Sequence, residues 1–297
     1  MSARRTHVAK QGSKGVMMIL SPAKTLDVSP YQSKLPTTIP DCHTAQTQQI
    51  VKAMKARNEK ELTKLLGISA NLGKTASGYW QNFREDFKAD TTHSKPCIYA
   101  FTGVAYQGLQ IHTCSDETVL YLQDNLRIID PLYGVLRPLD LIQPYRLEMA
   151  TKNVLPKQKT RLQDFWKAAV TASLQNDLKD RPHKVVLNIA SDEYSSAVDE
   201  SNLPSGTAFV KVVFHDGGRT VAVHAKRARG LMAKFVAQHQ CQTLDDVQKF
   251  DSEGYAFAPD KSDDLSLVFE RRTPAEAKRK GAPAQASSKT KKKRAGE

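Results

Sequence analysis

LRIIDPLYGVLRPLDLIQPYRLEM, residues 126–149, opens as a short apolar strand and then breaks on prolines at 131, 138 and 144. Each proline removes a backbone donor and biases the residue before it toward extended geometry, so the chain here runs in fixed turns. Between the breaks stand Tyr133, Arg137, Asp140, Tyr145, Arg146 and Glu148, an alternation of aromatic, guanidinium and carboxylate on a stiff track. Two readings fit it equally. Ordered loop residues of this chemistry line a ligand cleft, or they pair with one another in an interior connection.

Working outward, short apolar runs at 16–20 (VMMIL), 97–101 (CIYAF) and 184–190 (KVVLNIA) read as buried strands. AFVKVVFH and TVAVHA flank Asp216-Gly217-Gly218 and read as a hairpin, and LSLVFER as a closing strand. Helical spacing marks 43–56, 160–175 and the region after Ala225, with a short helix at 244–250. In residues 61–83, Leu62, Leu65 and Leu66 form one apolar face, Gly67-Ile68-Ser69 breaks it, and Leu72, Ala76 and Trp80 form another. The order of elements predicts an α/β fold: a single body around a mixed, partly closed sheet, carrying a helical hairpin (helix-hairpin-helix-like) insert.

The motif loops follow strand ends, where open sheets place ligand chemistry. Ser21, Lys24 and Thr25 come just after the first strand, with Lys24 suited to neutralise a phosphate or carboxylate. Ser-x-x-Lys is also the serine-acylase arrangement, although its companion motifs are missing. Gly103 and Tyr106 make a close-approach loop to accompany Tyr133, Arg137, Tyr145 and Arg146 in lining a cleft. Ser191 before Asp192 and Glu193 reads as a helix N-cap, while the two acids are equally candidates for acid–base work, with Lys24 the third candidate catalytic group. Lys226, Arg227 and Arg229 open a helix, where cations oppose the macrodipole by about 0.3–1 kcal/mol each; an anion bound there would explain them. In the hairpin, Gly67, Ser69 and Lys74 are candidates for contact with backbone phosphates.

Six of these segments, SPAKT (21–25), FTGVAYQGL (101–109), the stretch 132–149, NIASDEY (188–194), AKRARGLMAKF (225–235) and SEGY (252–255), together resemble the YaaA peroxide-stress family over about residues 17–270. The resemblance implies a protein that limits hydrogen peroxide damage by lowering loosely bound iron and that binds DNA. It carries no reaction over to particular residues.

Net charge, taken alone, misleads. Of the formal +13, residues 1–16 hold +4 and residues 271–297 hold +8, which leaves +1 for the body between them. The expected organisation is therefore a basic extension (1–16), a body (17–272) and a disordered basic tail (273–297) whose KTKKKR run attracts phosphate nonspecifically. The four cysteines are dispersed without a CxxC and the eight histidines lack ligand spacing, so neither metal nor cofactor is expected. A mean hydropathy of −0.49 and the absence of a secretory h-region point to a cytoplasmic protein with no membrane partner. The expected partner is the DNA backbone; the alternative is an enzyme acting on a nucleotide-like or other anionic small molecule.

Overall fold

The structure, a computed structural model, describes residues 14–31, 34–40, 45–84, 93–156 and 160–271. Most of both basic extensions, residues 1–13 and 272–297, lies outside the described residues. In chain order the elements are β1 (Met17–Leu20), α1 (Ala45–Lys55), α2 (Glu59–Leu66), α3 (Ala70–Asn82), β2 (Lys95–Pro96), α4 (Cys97–Ala100), α5 (Val104–Leu109) and α6 (Asp116–Asn125). There follow β3 (Leu126–Asp130), β4 (Gly134–Leu136), β5 (Leu141–Ile142), α7 (Leu162–Lys179), β6 (Val185–Asn188), α8 (Asp192–Ser195), β7 (Ala208–Asp216), α9 (Ala222–Gln238), α10 (Leu244–Val247), β8 (Tyr255–Phe257) and β9 (Ser266–Arg271).

Seven strands form one sheet in the order β4-β3-β1-β6-β7-β9-β8. The five inner strands run parallel, and the antiparallel β4 and β8 stand at the edges. The sheet is mixed, as the sequence suggests, but it is open rather than partly closed. The reason for the parallel centre is visible in β1, which is buried along its whole length and has the continuous apolar character of a strand covered on both faces; β3 is equally buried, although it carries Arg127 and Asp130. β2 and β5 pair separately as a small antiparallel sheet.

Two local expectations fail. TVAVHA is not a strand: α9 begins at Ala222 inside it, and β7 pairs instead with the parallel β6 and β9. Alternation over so few residues cannot separate a strand from the exposed start of a helix. CIYAF is a helical turn, α4, whose four residues are all buried and therefore apolar all round. The helical hairpin is present: Gly67 closes α2 at φ 61°, and the Ser69 hydroxyl accepts from Leu72 N to cap α3. Trp80 of α3 packs 6.4 Å from Tyr145, which anchors the hairpin to the proline-rich track. Among the described residues no helix is long and apolar enough to cross a membrane.

Candidate functional site

β1 leads to β3 on one side of it, whereas β6, its neighbour on the other side, leads away to β7. The carboxyl ends of β1 and β6 therefore flank a topological switch point, where diverging connections leave a crevice. The first polar residues beyond these ends meet. Ser191 N donates to Ser21 Oγ at 2.9 Å, and the two hydroxyl oxygens are 3.3 Å apart. Ser191 makes no side-chain cap for the four-residue α8; its hydroxyl is used across the crevice. The buried Tyr106 hydroxyl donates to Ser21 O at 3.1 Å and burial pushes its pKa well up, so it is a fixed donor. Gly103 lets its loop approach closely, since a Cβ there would stand 2.9 Å from Ala23 Cβ.

Charged side chains line the mouth in pairs. Lys24 Nζ donates to Glu148 at 2.7 Å, and Arg146 reaches Lys24 O at 3.3 Å. Lys211 donates to Asp192 at 2.7 Å, while Glu193 accepts from Ala150 N at 3.0 Å. Arg229 is largely desolvated, which lowers its pKa against the opposing charge of Asp192. The Nε atoms of Arg146 and Arg229 are buried without a hydrogen-bond partner among the described residues. Thr25 accepts from the Thr102 hydroxyl at 3.1 Å and so ties the lysine loop to the glycine loop.

Ser21, Lys24, Thr25, Gly103, Tyr106, Arg146, Asp192, Glu193 and Arg229 are thus linked through the loops at this end of the sheet. Arg137 is not among them. β4 returns antiparallel to β3, with Leu136 opposite Ile128, and this delivers Arg137 to the start of β3, where it donates to Asp177 at 3.0 Å. Tyr133 and Tyr145 lie buried beneath the track and serve Asp130: Tyr133 N donates to it at 2.9 Å and the Tyr145 hydroxyl donates to its other oxygen. Arg227 is held by Glu253 of the SEGY turn, with contacts of 2.6–3.0 Å; because α9 begins at Ala222, Lys226, Arg227 and Arg229 lie beyond its first turn, and the helix-start cost expected of them does not arise. Lys226 is exposed. Gly67, Ser69 and Lys74 sit on the exposed hairpin.

The serine-acylase arrangement is absent: Ser21 and Lys24 are on non-helical chain, and the lysine amine is committed to Glu148. Among the described residues no three His, Cys, Asp or Glu side chains gather as a metal would require. Sequence reasoning passed over Ser191 as a hydrogen-bond partner, Lys211 and Asp130. Lys211 was detectable as the one charge within the apolar run Ala208–Phe214 of β7.

An open α/β sheet with a charged crevice at its switch point defines the class of this protein. A family model described as peroxide stress protein YaaA matches residues 16–261, and the chain belongs to that family. It is similar to UPF0246 proteins of Acaryochloris marina (37% identity over 256 residues) and Chromobacterium violaceum (37% over 262), each match spanning 86% of this chain and 99% of the relative. A UPF0246 protein of Francisella tularensis subsp. novicida is 33% identical over 258 residues, 86% of this chain and all of the relative.

Proposed function

We propose that this peroxide-stress protein engages the phosphate backbone of DNA without sequence preference, through the α2–α3 turn and the cationic rim of the crevice. The observation that carries the reading is the open turn. No heavy atom lies within 4 Å of the position a Gly67 Cβ would take, and Gly67, Ser69, Ala70 and Asn71 are exposed. Helix-starting amides without intrahelical partners thus sit beside a turn that a phosphate can approach, with Lys64 and Lys74 exposed one turn away. In this reading, protection from loosely bound iron is an effect exerted at DNA and requires no metal held by the body.

A second reading, catalysis on an anionic small molecule, is favoured by the buried Nε atoms of Arg146 and Arg229, unpartnered among the described residues, beside the Lys24 loop and Asp192. Binding of duplex DNA by residues 14–272 and by the full chain, as a function of salt, separates the two. If the hairpin grips phosphates, the shorter chain binds with a log–log salt slope of about 0.9 per phosphate contacted, and Lys74→Ala lowers that slope by roughly one. No salt-dependent binding by the shorter chain, with binding by the full chain, assigns the effect to the extensions and gives first place to the small-molecule reading.

A further inference from the structure

At the opposite end of the sheet from the crevice, a cavity of about 560 Å³ opens beside the start of β3. Its walls carry Lys14, Arg127, Arg137 and Arg181 against Asp124, Asp177 and Asp180. Asp180 has an 81% exposed side chain and meets Lys14 at 3.6 Å, so water screens that pair. Asp177 takes both Arg127, at 2.9 Å from Nη2, and Arg137, at 3.0 Å. It is held below the usual carboxylate range because the hydrogen bonds and charge of Arg127 outweigh its burial, with Arg137 adding to them.

Arg181 is the exceptional member. Only 6% exposed, it donates to Gly15 O, Asn125 Oδ1 and Asp124 O, each at 2.7 Å. All three acceptors are uncharged, and its buried Nε has no partner among the described residues. Burial, and next the charge of Arg127, push its pKa down to about 10. A guanidinium enclosed without its own counter-charge is costly, and beside it Arg137 remains half-exposed. Over the whole lining four cations face three carboxylates, a surplus of one positive charge that favours an anion.

We propose that this cavity binds a phosphate-class oxyanion, contacted by the half-exposed Arg137 and Lys14 and favoured by the field of the buried Arg127 and Arg181 behind them. No residue of the crevice takes part, and the proposal does not depend on DNA binding. The test is calorimetric titration of the full chain with potassium phosphate against potassium chloride of equal ionic strength. The expected result is a saturable event in phosphate and not in chloride, weakened at least about tenfold by Arg137→Gln, which removes a charge-assisted contact, and also weakened by Lys14→Gln.

Absence of saturable heat overturns the proposal. So does phosphate binding that survives both Arg137→Gln and Lys14→Gln. Should Arg137→Gln melt early, the exposed Lys14→Gln carries the comparison. Duplex DNA binding by Arg137→Gln then separates the sources: retained DNA affinity with lost phosphate binding means a free oxyanion, and parallel loss means that a backbone phosphate enters the same cavity. Phosphate binding by a chain that does not bind DNA would leave this site standing and remove only the DNA reading.

Discussion

Asp130 ends β3 fully buried, accepting from Leu132 N at 2.8 Å, Tyr133 N at 2.9 Å and the Tyr145 hydroxyl. Burial outweighs these donors and raises its pKa to about 6. A carboxyl whose folded pKa lies above its unfolded one binds more protons when folded, so its contribution is present below about pH 4 and is lost as pH rises to about 6. The loss is on the order of 3 kcal/mol. Asp130→Asn preserves shape and hydrogen-bonding capacity, so in urea unfolding between pH 4 and 6 the variant should lack this decline; superimposable profiles would refute the assignment. By contrast, Arg227→Ala should cost no more than about 1 kcal/mol despite its double contact with Glu253, because both side chains are about one-third exposed. At this scale the sequence was half legible. Residue types at strand ends pointed to Ser21, Lys24 and Asp192, but Arg137 and Tyr145, eight residues apart, serve opposite ends of β3: which end each serves depends on the antiparallel turn at Gly134, and strand direction is not written in side chains.

Helices α5 and α9 cross on two glycines. A Cβ on Gly230 would lie 1.7 Å from Ala105 O, and one on Gly108 would lie 2.2 Å from Arg227 O; both obstacles are backbone, so neither can swing aside. Gly67 offers the opposite case, with positive φ and open space. Gly230→Ala should therefore cost about 3 kcal/mol or more through forced separation of packed helices, and Gly67→Ala about 1–2 kcal/mol through left-handed strain alone. Chemical denaturation of both variants checks the ranking, and a Gly67→Ala as damaging as Gly230→Ala would show that the turn is packed rather than open. The hairpin was readable because each of its helices shows a polar face and an apolar face separated by a conformational stop. α4 and the start of α9 were not: one is buried all round, and the other opens with apolar Val223 exposed at 54%, so neither displays the amphipathic period on which such reading depends.

For the whole molecule, the near-neutral charge between the extensions means that attraction to polyanions depends on where charge is placed, and the boundaries of the body become a quantitative matter. The repeated polar segments after strand ends made the crevice legible, whereas the strand order that creates its switch point rests on long-range pairing. The amino boundary shows the same limit, since the apolar run suggested a body starting at Met17. The structure places Val16 in the core at 1% exposure, with its N–H on Cys241 O at 3.0 Å, and gives Gly15 O to the buried Arg181. Removing residues 1–13 and 274–297 should leave the melting temperature unchanged. Removing 1–16 should not: it strips a buried valine, about 1.5–3 kcal/mol, and leaves Arg181 and Cys241 O short of partners, which lowers the midpoint by roughly 4–8 °C. Calorimetry on the two truncations decides the point. Equal melting temperatures would show that the strand needs nothing before Met17, and a drop in the shorter truncation would show that the extensions dock on the body.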